Sequence, residues 1–181
     1  MRLLQILSLV ILLICLEGCG SSRSLGASFG DANSGQDFKA RLMTDGPYDY
    51  DDIDITVFEG RLMLTGTAPD EQTRQRLVMQ GWQSKGVKQI IDEVVIGEKT
   101  RFKQGVADSR IDTAIRTKLI TDGAIRSSDV KITVSNGVAY LIGVARDDRI
   151  LTKIVDHART TRGVTKVVSH IIFIDEQVRR L

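Results

Sequence analysis

Few residues in this 181-residue chain are of types that do covalent, metal or acid–base chemistry, and their spacing argues against all three. The thiols are Cys15 and Cys19, both close to the N-terminus, so no disulfide can close within the body of the chain. The imidazoles are His157 and His170, and neither has a Cys or a second His at metal-ligand spacing. Asp49-Tyr50-Asp51-Asp52-Ile53-Asp54 is dense in carboxylates but lacks the Gly and the terminal Glu of an EF-hand loop, so it reads as a solvated loop before a strand. Asp147-Asp148 sits where a helix starts, and the helix dipole accounts for it. No GxSxG elbow, P-loop or dinucleotide fingerprint is present. The residues describe a non-enzymatic chain with no cofactor, no metal and no small-molecule substrate.

The elements that position these groups are two copies of one hairpin. Ile132-Thr133-Val134-Ser135-Asn136-Gly137-Val138-Ala139-Tyr140-Leu141 alternates apolar and polar residues up to an Asn-Gly pair, the signal of a type I′ turn. Ile55 to Leu64, with Glu59-Gly60 at the turn, is the same object 77 residues earlier. Aligning each residue with the one 77 further on needs no gap from Phe38 to Ile96. The identities include Leu42/Leu119, Asp45/Asp122, Gly46/Gly123, Asp52/Asp129, Gly60/Gly137, Gly66/Gly143, Asp70/Asp147 and Gly86-Val87/Gly163-Val164.

Each copy predicts the order α-β-β-α-β. In the second, Ser109 and Asp112 suggest a capping-box start, Ile111, Ile115 and Leu119 recur at helical spacing, and Asp122-Gly123 ends the helix. Ile150, Leu151, Ile154, Val155 and Ala158 mark one face of a second helix closed by Gly163, and Val164 to Phe173 supplies a third strand. In the first copy the second helix must rely on Leu77, Val78 and Trp82, and the copy is expected to be less stable alone or to lean on its neighbour. The fold class is α+β: two three-stranded sheets, each covered by two helices.

Ahead of the repeat, Met1-Arg2 and the apolar run Leu3 to Leu16 have the shape of a secretory signal. Leu16-Glu17-Gly18-Cys19 resembles a bacterial lipobox, which implies acylation of Cys19; Leu12-Leu13-Ile14 before Cys15 lacks the small residue. Gly20 after Cys19 implies, by resemblance to the Gram-negative sorting rule, an outer-membrane anchor facing the periplasm. Gly20 to Gln36, rich in Gly, Ser, Ala and Asn, reads as a flexible tether. Charge divides along the chain. Residues 19–100 carry 9 Lys/Arg against 13 Asp/Glu, a net −4, and residues 101–181 carry 15 against 9, a net +6. A basic second copy suits anionic lipid headgroups; nucleic acid, the other common partner of basic domains, is at odds with a secreted chain.

The residues Val134, Gly137, Leu141, Gly143, Gly163-Val164 and Val167, with counterparts Val57, Gly60, Leu64, Gly66, Gly86-Val87 and Ile90, resemble a BON domain. Two such units behind a lipobox resemble the tandem BON outer-membrane lipoproteins of the DolP type. The resemblance implies binding to phospholipid surfaces and upkeep of the envelope, with no catalysis. The expected divisions are a signal over 1–18, a lipidated tether over 19–36, BON domains over 37–97 and 108–175, a linker over 98–107 and a tail over 176–181. On the first helix of the second copy Ile120 points away from the inward stripe, at 100° per residue. Arg110, Arg116, Ile120, Ile125 and Arg126 are therefore the candidate lipid-contacting residues. A second class of function is a tethered adaptor that recruits another envelope protein.

Overall fold

The computed structural model describes residues 25–46, 48, 50–98 and 102–174. Cys19, the signal segment and the C-terminal tail expected over 176–181 lie outside these residues. The elements are α1 (Leu25–Thr44), β1 (Ile53–Phe58), β2 (Arg61–Ala68), α2 (Glu71–Trp82), β3 (Gln89–Ile96), α3 (Phe102–Thr121), β4 (Val130–Ser135), β5 (Val138–Ala145), α4 (Asp148–Arg159) and β6 (Lys166–Phe173), with a 3-10 turn over Ser127–Asp129. Each half is α-β-β-α-β, and each sheet has its hairpin antiparallel and its third strand parallel to the second. The parallel pairing follows from α2 and α4, which carry the chain back along the sheet.

Local chemistry explains most boundaries. Both hairpin turns hold two residues at positive φ, Glu59 and Gly60 at 52° and 79°, Asn136 and Gly137 at 51° and 77°. Asp70 and Asp147 cap α2 and α4, accepting from Thr73 N and Ile150 N. The first helix of each copy, however, starts well before the expected point. Residues 25–36, expected as part of the tether, are helical, and so are 102–107 of the expected linker. Ser109 is thus no cap; its hydroxyl donates back to Gly105 O within the helix. The reason lies in two buried carboxylates. Asp31 accepts from Glu59 N and Gly60 N at 2.9 and 3.0 Å, and Asp108 accepts from Asn136 N and Gly137 N at 2.8 and 2.9 Å. Each first helix must extend far enough back to place an aspartate over the turn of its own hairpin.

One apolar core lies under the helices of each copy: Phe38, Val57, Leu62, Leu64, Leu77 and Val94 in the first, and Ile111, Ile115, Leu119, Ile132, Leu141 and Ile154 in the second. Trp82 does not join it; the indole side chain is exposed. The opposite faces of the two sheets pack on each other through a third cluster of Phe58, Met63, Ile91, Tyr140, Ile142 and Val144. The order of layers is helices, sheet, sheet, helices.

The two copies are related by an approximate twofold axis. Thr56 Oγ1 lies 2.7 Å from Thr133 Oγ1 and Glu93 Oε1 lies 2.8 Å from His170 Nε2, and each pair joins the same position in both copies. Equivalent residues meet each other only close to such an axis. Charge contributes at the margins, where Arg61 donates to Gly143 O and His170 O and Lys131 donates to Val57 O. The centre is apolar, so burial rather than charge complementarity holds the acidic copy to the basic one.

Thr65 sits in this interface, 1% exposed, with a hydroxyl that has no hydrogen-bond partner among the described residues. Ile142 occupies the equivalent place. Thr65→Val is expected to raise unfolding free energy by about 1 kcal/mol, because it removes an unsatisfied buried hydroxyl at constant shape. Urea titration checks this; a loss of stability would show that the hydroxyl is bonded.

Candidate functional site

The outward face of α3 is built by the periodicity that fills the core. Ile111, Ile115 and Leu119 point inward at 6%, 0% and 2% exposure. Val106, Arg110, Thr113, Thr117 and Ile120 then recur at helical spacing on the outer side. Ile120 is 67% exposed and Val106 37%. Val106, Ser109, Arg110, Thr113 and Ala114 line a shallow depression on this face.

The five expected residues do not form one group. Arg110, Ile120 and Arg126 are exposed, and neither Arg110 nor Arg126 forms an ion pair with another described residue. Arg116 is exposed but engaged: its guanidinium holds both Asp112 oxygens at 2.6 and 3.0 Å and donates to Ile132 O at 2.6 Å. That fork fastens α3 to β4 and leaves little charge for a headgroup. Ile125 is turned inward at 7% exposure, packed with the core under α3, so it is not presented at the surface as expected. An aliphatic side chain in a loop beside an open core gains more from burial than from projecting into water.

The loop is fixed by Asp122. Its carboxylate meets His157 Nε2 at 2.8 Å, accepts from Ala124 N at 3.0 Å and from Lys153 Nζ at 3.0 Å. These partners, His157 first, hold its pKa well below the usual carboxylate range. Ionised Asp122 ties the end of α3 to α4 and sets the path that buries Ile125 and leaves Arg126 outside.

Val106 was not legible as a surface residue, because the helix was expected to begin after it. The aspartates over the hairpins were also missed. Their signal was present in the identity Asp31/Asp108, which continues the repeat upstream of Phe38. Among the described residues no group of three or more His, Cys, Asp or Glu is placed to hold a metal, and no helix is long and apolar enough to cross a membrane.

The sequence model for the BON domain matches twice, over residues 31–98 and 107–175. The chain belongs to the BON-domain family. Both matches begin inside the first helices, close to the buried aspartates, in agreement with the extended α1 and α3. The tandem BON arrangement of DolP-type proteins is what the two matches describe. The chain is similar to an uncharacterized protein in the gshII 5′ region of Anaplasma centrale, 27% identical over 132 residues, 72% of this chain and 87% of that protein. It is also similar to a 21 kDa hemolysin of Actinobacillus pleuropneumoniae, 30% identical over 122 residues, 67% of this chain and 62% of that one. A third relative is the outer membrane lipoprotein DolP of Haemophilus influenzae, 25% identical over 123 residues, 68% of this chain and 63% of that one. The matched segments thus span less than two thirds of the hemolysin and of DolP.

Proposed function

We propose that this tandem BON chain is a non-catalytic outer-membrane lipoprotein, anchored through acylated Cys19 and facing the periplasm, that supports the envelope by resting its second BON domain on anionic phospholipid. The observation that carries the reading is Ile120, a 67% exposed aliphatic residue on a helix face that also presents Arg110, with Arg126 just beyond. An apolar side chain flanked by unpaired cations is suited to the headgroup boundary: the cations attract the surface and the side chain enters it. The +6 balance of the C-terminal half adds a longer-range attraction. The DolP relative supports the envelope setting through its name, and the lipobox-like residues support the anchor.

Flotation with vesicles tests it. The chain from Gly20 onward, which retains every described residue, is expected to float with phosphatidylglycerol-containing vesicles and to be released by salt. Arg110→Glu with Ile120→Glu is expected to weaken binding by about tenfold or more, since each basic charge near the surface is worth about 1 kcal/mol. The circular dichroism spectrum should stay unchanged, because both side chains are exposed. Undiminished flotation of the double variant would overturn the lipid surface. Failure of the unmutated chain to float on any anionic vesicle would favour the adaptor. In cells, Cys19→Ser is expected to move the chain out of the membrane fraction.

A further inference from the structure

The internal duplication supplies its own control, because the same positions can be compared in two folded copies. In the second BON domain Leu119, Ile125, Val130 and Ile132 are 2%, 7%, 5% and 4% exposed. Their counterparts Leu42, Tyr48, Ile53 and Ile55 are all only half-buried. The first core is therefore open at the end of α1 where the second is closed. The opening is a pocket of about 350 Å³ walled by Leu42, Met43, Tyr50, Ile53 and Ile55, with Lys39 at its mouth.

The loop explains the difference. After α3 the chain makes the 3-10 turn at Ser127–Asp129 and inserts Ile125. After α1 the counterpart of Ile125 is Tyr48, which lines the wall of the pocket without filling it. Arg76 lies over it, 5.0 Å from the centroid, and its hydroxyl accepts from Gln72 and Arg76. Tyr50 packs beside it, 6.2 Å between centroids, and donates to Asp45 at 2.5 Å. Aromatic stacking, the cation over the ring and the hydrogen bonds hold Tyr48 at the wall of the gap, beside Tyr50.

The mouth differs as well. Arg116 of the second domain is neutralised by Asp112, but the residue at the matching place in the first is Gly35, so Lys39 has no carboxylate one helical turn away. Lys39 is exposed and forms no hydrogen bond or ion pair with another described residue; Asp54 interacts with its charge at longer range. Met43, 86% exposed, stands at the rim, and its flexible thioether can cover an apolar guest.

We propose that the first BON domain binds one aliphatic chain of a free anionic amphiphile, with the chain in the place that Ile125 fills in the second domain and the anionic head on Lys39. Isoleucine in the matching gap identifies aliphatic matter as what fits, and the exposed Lys39 ammonium selects the charge. A pocket of this size is at the small end for ligand sites and suits one chain rather than the two of a bilayer lipid. Asp51 also lines the pocket, and its carboxylate disfavours an anionic head on that residue. The pocket shares no lining residue with the depression on the outward face of α3. The inference is independent of the lipid-surface reading.

Photolabelling tests it in the full chain reconstituted in phosphatidylcholine vesicles, with dodecanoate bearing a terminal diazirine as probe. Labelling is expected on the segments that carry Leu42–Met43 and Ile53–Ile55 and should be suppressed by excess dodecanoate. Lys39→Glu is expected to raise the dodecanoate concentration needed for that suppression about tenfold. Ile53→Phe, which fills the gap, is expected to remove the labelling with the melting temperature held. Should Ile53→Phe fail to fold, the surface change Lys39→Glu decides alone. Labelling spread evenly over the chain, or concentrated near Ile120, would overturn the proposal. Equal competition by uncharged dodecanol would overturn the role of Lys39. Flotation on anionic vesicles reads the other surface, so either result can fail without the other.

Discussion

Asp108→Ala is expected to lower the unfolding free energy of the second BON domain by about 4 kcal/mol, since hydrogen bonds to a charged acceptor contribute about 1.5–3 kcal/mol each and the two from the turn amides have no other partner to turn to. The carboxylate is 5% exposed and accepts the amide protons of Asn136 and Gly137, with a third bond from Gln104 Nε2 at 2.9 Å. Truncation strips both turn amides of their partner, and the N–H of Gly137 is buried where water cannot replace the oxygen. The turn also holds Asn136 in the left-handed region, at φ 51°, and so depends on its anchor. A domain of ordinary stability loses a large share of its total in one substitution. Asp31→Ala should act alike in the first domain, because Asp31 bonds Glu59 N and Gly60 N in the same manner. Urea denaturation followed by circular dichroism measures the change. A shift under 1 kcal/mol for Asp108→Ala would show that the aspartate is not the anchor of the hairpin.

Gly143→Ala is expected to be nearly as damaging, about 3 kcal/mol or more, in the upper range of what overpacking costs. A Cβ at this place would lie 2.1 Å from Asp129 O and 2.9 Å from Val130 Cα. Both are backbone atoms, so no rotamer change relieves the clash. The start of β4 must lift off β5, where Val130 pairs with Gly143. Gly66 repeats the arrangement, with a Cβ placed 1.9 Å from Asp52 O. This accounts for the joint recurrence of Asp52/Asp129 and Gly66/Gly143: the strand enters the sheet by crossing directly over a residue with no side chain. Gly105→Ala on α3 is the control, since nothing lies within 4 Å of its Cβ position and alanine favours the helix. Thermal melts should separate the two by many degrees. A Gly143→Ala domain as stable as the control would contradict the crossing.

Much of this architecture was legible because its signals are local. The positive-φ turns at Glu59-Gly60 and Asn136-Gly137 and the helix start at Asp147-Asp148 each depend on residues within a few positions of one another, and the gapless 77-residue repeat states each such signal twice. The helix starts were misjudged because the evidence for them is remote. Asp108 earns its place by bonding a turn 28 and 29 residues away, and no capping pattern around Ser109 could reveal that. At the candidate surface, helical periodicity placed Ile120 outward, whereas Ile125 sits in a loop without a period and its direction depends on the path that Asp122 sets.

The sequence by itself determined the modules: two α-β-β-α-β units with defined hairpins, a basic second half and a cysteine ahead of both. Tertiary structure decided how they join and what they expose. Strands β2 and β5 are buried on both faces, one against helices and one against the other sheet. Alternation along a single strand can mark an apolar face but not name what covers it. That was settled only when Met63 and Ile91 met Tyr140 and Ile142 across the approximate twofold axis. The same packing put the two first helices on opposite sides, one presenting Ile120 and the other an open core beside Lys39. The physical reason is that burial is non-directional and acts between surfaces far apart in the chain, whereas turns and caps are short-range and directional.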